Sequence, residues 1–204
     1  MPITEADAER LAGDVAASLR DDGFACVRLP MLPWMQLRGE AMALRDAGQL
    51  RAAATGRAQG RREGGLRGDS THWIEPHAAG PATTQWLAAM DALRVALNRR
   101  LLLGLEELEA HFACYPPGAG YARHRDRFAD DDARVLSLVC YLNPDWPADA
   151  GGELRLHLAR ATADIEPRAG NVVLFLSEEI EHEVLPATRE RWSIAGWFRR
   201  RPRS

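Results

Sequence analysis

From Leu108 onward the sequence breaks into short apolar or alternating runs: LEAHFACY, RVLSLVCYL, ELRLHL, NVVLFL, HEVLPA and RWSIAGWF. Clusters of Pro, Gly, Asn and Asp (PPGAG, NPDW, DAGG, EPRAG) cut each run from the next. Evenly spaced short runs with turn residues between them are the pattern of a two-sheet β-sandwich or jelly roll. The first half reads differently. Thr4, with Asp7 three residues on, makes an N-terminal capping signature; Leu11, Val15 and Leu19 fall on one helical stripe, and Gly23 ends it. FACVRL (24–29) is a short strand. Pro30 and Pro33 end it and open a second helix with Leu37, Ala41 and Leu44 on its apolar face and Gly48 after it. THWIE (71–75) reads as a strand, and Pro81 opens a long helix carrying Trp86, Leu87, Met90, Leu93, Leu97 and Leu101. The expected fold class is α+β, with N-terminal helices supporting a jelly-roll core over 105–199. One domain spanning 1–204 accommodates this, with helical support and a mobile loop in 1–104.

That loop is residues 55–68, TGRAQGRREGGLRG. Five glycines, four arginines and a single large apolar residue, Leu66, give it nothing to pack with, so it is expected to be mobile without a ligand and to close over substrate when one is bound. Composition narrows the function classes. Apolar residues are 46% and charged residues 27%, the globular average. With 26 basic against 29 acidic residues the net charge is −3, so no nucleic-acid or membrane partner is expected. No apolar run approaches the ~18 residues needed to span a bilayer, and MPITEADAER has no secretory h-region. Cys26, Cys114 and Cys140 each sit in a strand-like run at no zinc spacing, and read as buried reduced thiols of a cytoplasmic protein.

The chemistry-bearing residues begin at His124 and Asp126. In extended chain, residues two apart point to one side, so imidazole and carboxylate can reach one ion. His182 opens a strand 56 residues beyond Asp126. Two imidazoles and a carboxylate make the facial triad of non-haem Fe(II) oxygenases. Taken alone, H-x-D fits a surface histidine beside a solvated aspartate better than a ligand pair. Arg191, at the start of the last apolar run, shifts that balance. An arginine directed into a barrel keeps its charge and needs a carboxylate partner, which a dicarboxylic cosubstrate supplies. Tyr141 adds a hydroxyl to the same carboxylate or is an ordinary core tyrosine; Tyr115 and Tyr121 carry the same ambiguity.

The stretches ACYPPGAGYARHRD, VCYLNPDW, GGELRL, ADIEPRAGNVVLF and HEVLPATRERWSIAGWF resemble the catalytic domain of EGLN-type HIF prolyl hydroxylases, members of the Fe(II)/2-oxoglutarate dioxygenase superfamily. DGFACV, ALRDAGQL and LRGDSTHWIE extend the resemblance upstream in the same order, so it runs from about residue 10 to 198. It implies a double-stranded β-helix with His124, Asp126 and His182 as Fe(II) ligands. Arg191 and Tyr141 would bind the distal carboxylate of 2-oxoglutarate, with Tyr115 near the cosubstrate and Trp197 across the iron pocket. It further implies O2 as cosubstrate and ascorbate as reductant. Arg67, Asp69, Trp73 and Arg134 would face a polypeptide substrate, Asp69 anchoring the loop hinge. Two departures stand out: Ala195 replaces a threonine that vertebrate members carry near the iron, and RRRPRS ends the chain where they continue.

The expected activity is prolyl 4-hydroxylation of a protein, coupled to conversion of 2-oxoglutarate to succinate and CO2. Bacterial relatives that hydroxylate a translation elongation factor suggest such a partner, and a monomer is expected. Hydroxylation of a free amino acid or other small molecule on the same iron site is the alternative. A non-enzymatic jelly-roll binding module leaves Arg191 and Tyr141 without a purpose.

Overall fold

The computed structural model describes residues 4–53, 67–126 and 133–201. The arginine- and glycine-rich loop therefore lies outside the described residues except for Arg67 and Gly68. Three helices occupy the first half: α1 (Glu5–Asp22), α2 (Trp34–Asp46) and α3 (Pro81–Leu101). Helix α1 starts where its capping signature stands: Thr4 Oγ1 accepts from the Asp7 amide, and the Asp7 carboxylate reaches back to the Thr4 amide. It stops at Gly23, whose φ of 76° is left-handed.

The strands are β1 (Phe24–Arg28), β2 (Arg51–Ala52), β3 (Ser70–Trp73), β4 (Glu107–Tyr115), β5 (Tyr121–His124), β6 (Arg134–Tyr141), β7 (Leu154–His157), β8 (Thr162–Ile165), β9 (Asn171–Leu176), β10 (Glu181–Val184) and β11 (Arg191–Arg199). They form a major sheet ordered β1-β9-β6-β11-β4-β3-β2 and a minor sheet ordered β5-β10-β7-β8, antiparallel throughout. This is the double-stranded β-helix. The major sheet buries its two faces differently. Phe112, Leu138, Leu174, Trp192, Ile194 and Phe198 pack in one cluster with Val15, Leu37, Trp86, Met90, Leu93 and Leu97 of the helices. Ala113, Tyr115, Tyr141, Val173 and Phe175, on the other face, pack with Leu154, Leu156 and Val184 of the minor sheet. The period-two alternation of β11 thus sends Trp192, Ile194 and Phe198 toward the helices and leaves Arg191, Ser193, Ala195 and Trp197 on the face toward the minor sheet.

Three sequence expectations need correction. Cys26 is exposed, because β1 is an edge strand whose alternation buries Ala25 and leaves Cys26 on its other face. Cys114 and Cys140 are buried thiols, each pushed up to about 12 chiefly by burial. The THWIE strand ends at Trp73, ahead of the short 3-10 turn that Pro76 opens. Finally, β2 and β8 carry too few apolar residues to be seen in the sequence. Among the described residues no helix is long and apolar enough to cross a membrane.

Candidate active site

Strand β5 ends at His124, and Asp126 follows two residues later; β10 sets His182 directly opposite His124 in the ladder. Gly120 permits that approach, since a Cβ there would stand 2.6 Å from the Val184 carbonyl oxygen of β10. Each imidazole is held through its Nδ1, which lies 2.8 Å from the Ala122 carbonyl oxygen for His124 and 3.3 Å from that of Ile180 for His182. A carbonyl accepts only, so Nδ1 carries a proton in each ring and Nε2 is the atom left to face Asp126 and a cation. Those Nε2 atoms lie 3.5 Å from Asp126 Oδ1 and Oδ2 respectively, and one ligand atom from each of the three residues falls within 4.8 Å of the others. Tyr121 stacks on His124 with ring centroids 3.6 Å apart, and Phe175 meets His182 edge-on at 4.6 Å.

Electrostatics keep this cluster ready for a cation. Burial pushes the His182 imidazole below its ordinary value, against the pull of Asp126. Burial opposes ionisation of Asp126, but positive charge on the facing His182 and His124 rings when no cation is bound, together with the Ser137 hydroxyl, outweighs it and holds the carboxyl well below the usual range. Ser137 Oγ donates to Asp126 Oδ2 at 2.7 Å and lies 2.9 Å from Ser177 Oγ. Ser137 spends its one proton on the carboxylate, so Ser177 donates to Ser137. The result is a buried relay of two hydroxyls ending on Asp126.

Deeper in the same cavity lies Arg191, 2% exposed. Its Nε donates to the Gly152 carbonyl at 2.8 Å and Nη1 approaches Ser193 Oγ at 3.5 Å, while Nη2 is buried without a hydrogen-bond partner among the described residues. The Tyr141 hydroxyl, on a side chain with no exposure, also has no hydrogen-bond partner among the described residues, and burial raises it, which keeps it protonated. Tyr141 and Tyr115 both lie against the guanidinium, with ring centroids 5.1 and 5.2 Å from Arg191 Cζ. A buried cation with an open N–H beside an open hydroxyl matches the distal carboxylate of 2-oxoglutarate, and two imidazole Nε2 atoms with a carboxylate match a divalent iron. The donor sets present fit both groups.

The expected rim residues are placed as follows. Arg67 is tied to Asp69 through two hydrogen bonds, of 2.5 and 2.8 Å, and its Cζ sits 4.8 Å from the Tyr121 ring centroid. Burial disfavours its charge, but Asp69 outweighs that and raises its affinity for the proton. Arg134 bonds Glu109 at 2.7 Å and lies over the Trp197 ring at 3.7 Å. Trp73, 47% exposed, stands edge-on to His111 with centroids 4.8 Å apart. Trp197 and Ala195 line the cavity with the His-Asp-His cluster. Sequence reasoning missed His111, Ser137 and Ser177. Only the parity of His111 with Tyr115 in LEAHFACY hinted that it faces inward.

Comparison with known proteins agrees with this geometry. A family model described as the 2OG-Fe(II) oxygenase superfamily matches residues 110–199. The crystal structure of a Pseudomonas putida prolyl-4-hydroxylase is 47% identical, with a TM-score of 0.84, covering 93% of this chain and 99% of that one. A Trichoplax adhaerens prolyl hydroxylase, solved with a hypoxia inducible factor oxygen degradation domain peptide fragment, is 28% identical, with a TM-score of 0.87, covering 95% of this chain and 91% of that one. Human Egl nine homolog 1 is 34% identical over 173 residues, which is 80% of this chain and 40% of that protein. The chain thus spans half or less of the curated Egl nine homologs from human, rat and mouse. It belongs to the 2OG-Fe(II) oxygenase superfamily, whose members work with Fe(II), 2-oxoglutarate and O2.

Proposed function

We propose that the chain is a protein prolyl 4-hydroxylase, which converts 2-oxoglutarate to succinate and CO2 while hydroxylating a prolyl residue of a polypeptide. The observation that carries this reading is the placement of the His124–Asp126–His182 cluster and Arg191 in one cavity, with Tyr141 lying against the Arg191 guanidinium. Near-complete mutual coverage with the Pseudomonas putida prolyl-4-hydroxylase supports the prolyl specificity. A translation elongation factor is the candidate substrate that the resemblance to bacterial relatives suggests.

In this reading His124, Asp126 and His182 hold the iron through Nε2, a carboxylate oxygen and Nε2. The bound iron supplies the redox chemistry that couples oxidative decarboxylation to hydroxylation, with ascorbate as an auxiliary reductant. The protein's own residues position and shield. Arg191 and Tyr141 fix the distal carboxylate of the cosubstrate, which orients its keto-acid end toward the cluster, and Tyr115 packs alongside. Ser137 keeps Asp126 ionised and in one orientation. Trp197 gives the cavity an apolar wall that suits a pyrrolidine ring and excludes water, and Trp73 packs beside it with ring centroids 6.1 Å apart. Arg67, Asp69 and Arg134 frame that wall.

The test is mass spectrometry of a cell extract incubated with the protein, Fe(II) and 2-oxoglutarate. One or a few prolines gaining one oxygen atom, with matching succinate, is the expected result. Succinate formation stimulated only by free amino acids or other small molecules would overturn the reading.

A further inference from the structure

His111 takes no part in the roles above, yet it is 2% exposed and lines the cavity beside the cluster. It lies opposite Ala195 in the β4–β11 ladder, between the Tyr115–Arg191 pair and the Glu109–Trp197 pair. Burial first, then Arg67 and Arg134, push the imidazole down to about 3, so it is neutral at any working pH. Arg67 Nη2, which can only donate, is 3.4 Å from His111 Nε2, so Nε2 carries the lone pair and Nδ1 the proton. That Nδ1 is buried and without a hydrogen-bond partner among the described residues. The indole Nε1 of Trp197, whose ring centroid is 5.5 Å from that of His111, is buried and unpartnered as well.

One wall of the cavity therefore carries two buried neutral donors that no acceptor answers among the described residues. Native structures rarely leave such groups unpaired, and when they do at a cavity wall a ligand is the natural partner. Charge decides which ligand. The arginines flanking this wall are matched, Arg67 by Asp69 and Arg134 by Glu109, whereas Arg191 in the depth of the cavity has no acidic partner among its hydrogen bonds. An anionic group is drawn to Arg191, and a neutral acceptor is left for His111 and Trp197. A prolyl residue supplies one. Its nitrogen has no N–H, so the backbone at the target offers acceptors alone.

We propose that the Nδ1–H of His111 and the Nε1–H of Trp197 form a subsite for a backbone carbonyl flanking the target proline ring of the polypeptide substrate. The proposal rests on the prolyl hydroxylase reading and deepens it. A wall with donors only favours peptide backbone that lacks N–H groups, which adds polar selectivity to the apolar fit of the ring. Trp73, half-exposed and edge-on to His111, would pack over that backbone.

The test uses the full chain loaded with Mn(II) and 2-oxoglutarate, and a proline-centred peptide chosen from a synthetic library by wild-type hydroxylation. Peptide affinity is measured by titration for wild type, His111→Leu, which fills the space without a donor, and His111→Asn, which restores one. Leucine should weaken the peptide roughly 3- to 10-fold, the range for one neutral hydrogen bond, and asparagine should recover most of it. Affinity for 2-oxoglutarate should not move. Replacing each carbonyl flanking the proline in turn by a thioamide, a weaker acceptor, should cost wild type affinity at one position and cost His111→Leu nothing there, a non-additivity that general loosening of the wall would not produce. Unchanged peptide affinity in the leucine variant, or additive thioamide losses, would overturn the subsite while leaving the activity standing. Failure of wild type to bind or hydroxylate any prolyl peptide would overturn both.

Discussion

Removing one hydroxyl next to Asp126 should weaken the metal site without touching a ligand. In Ser137→Ala the carboxylate loses its 2.7 Å donor, and Ser177, whose hydroxyl points to Ser137, loses its acceptor. Both serines are essentially without exposure, so water does not replace the lost bonds. A hydrogen bond to a charged group contributes about 1.5 to 3 kcal/mol. The part of that energy that orients Asp126 toward the cation should appear as roughly 10- to 100-fold weaker metal binding, the usual scale for partners behind a ligand. The assay is Mn(II) titration followed by electron paramagnetic resonance, beside a melting curve of the metal-free protein. Ser137→Thr keeps the hydroxyl and should restore affinity. The leftover Ser177 hydroxyl should also cost the metal-free fold about 1 to 3 kcal/mol. If Ser137→Ala binds Mn(II) as tightly as wild type, the relay does not orient Asp126 and the argument fails.

Arg191→Lys should raise the 2-oxoglutarate requirement, because a point charge cannot reproduce two parallel hydrogen bonds, and Tyr141→Phe should do so more mildly, by about 1.5 to 3 kcal/mol of binding. Unaltered cosubstrate titrations in both variants would place the carboxylate pocket elsewhere. Gly120→Ala puts a methyl 2.6 Å from the Val184 carbonyl oxygen, so β5 must move off β10. Overpacking of this kind costs about 1 to 3 kcal/mol, and Mn(II) affinity should fall with it; a variant with wild-type melting and metal binding would refute the close approach. The depressed His111 sets an acid limit. Between its folded value of about 3 and the ordinary ~6.5, the unfolded chain binds a proton that the native state refuses, so stability falls as pH drops through that window. From about pH 7 to 5 the loss is on the order of 2 kcal/mol, visible in denaturant midpoints and absent in His111→Leu; parallel pH profiles for the two proteins would contradict it.

The cluster and Arg191 were legible in the sequence because their signals are local. His124 and Asp126 stand two residues apart where the chain leaves β5, and Arg191 stands at the first position of a run whose apolar residues already define the opposite face. The helices were legible for the same reason: Thr4 and Gly23 mark both ends of α1 within a few residues of the boundaries. What stayed hidden depends on pairing. TADI alternates over only four residues and Arg51–Ala52 is shorter still, so it is the neighbouring ladders that decide for strands there. Nothing near His111 announces that Arg67, 44 residues earlier, will fix its tautomer. Cys26 looked buried because its run is apolar, while its exposure follows from the edge position of β1.

The order of synthesis runs against the order of the major sheet. Strand β11, residues 191–199, lies in the middle, hydrogen-bonded to β4 on one side and β6 on the other, and every strand it joins is made before it. A nascent chain halted near residue 190 holds β4 and β6 with an empty lane between them, two unpaired edges and apolar residues whose cover has not arrived. Such a chain cannot settle into a smaller version of the same domain, and it also lacks Arg191. Folding and cosubstrate capture are thus gated by the same nine-residue strand, so a truncated product goes to aggregation or degradation instead of surviving as a stable but idle protein.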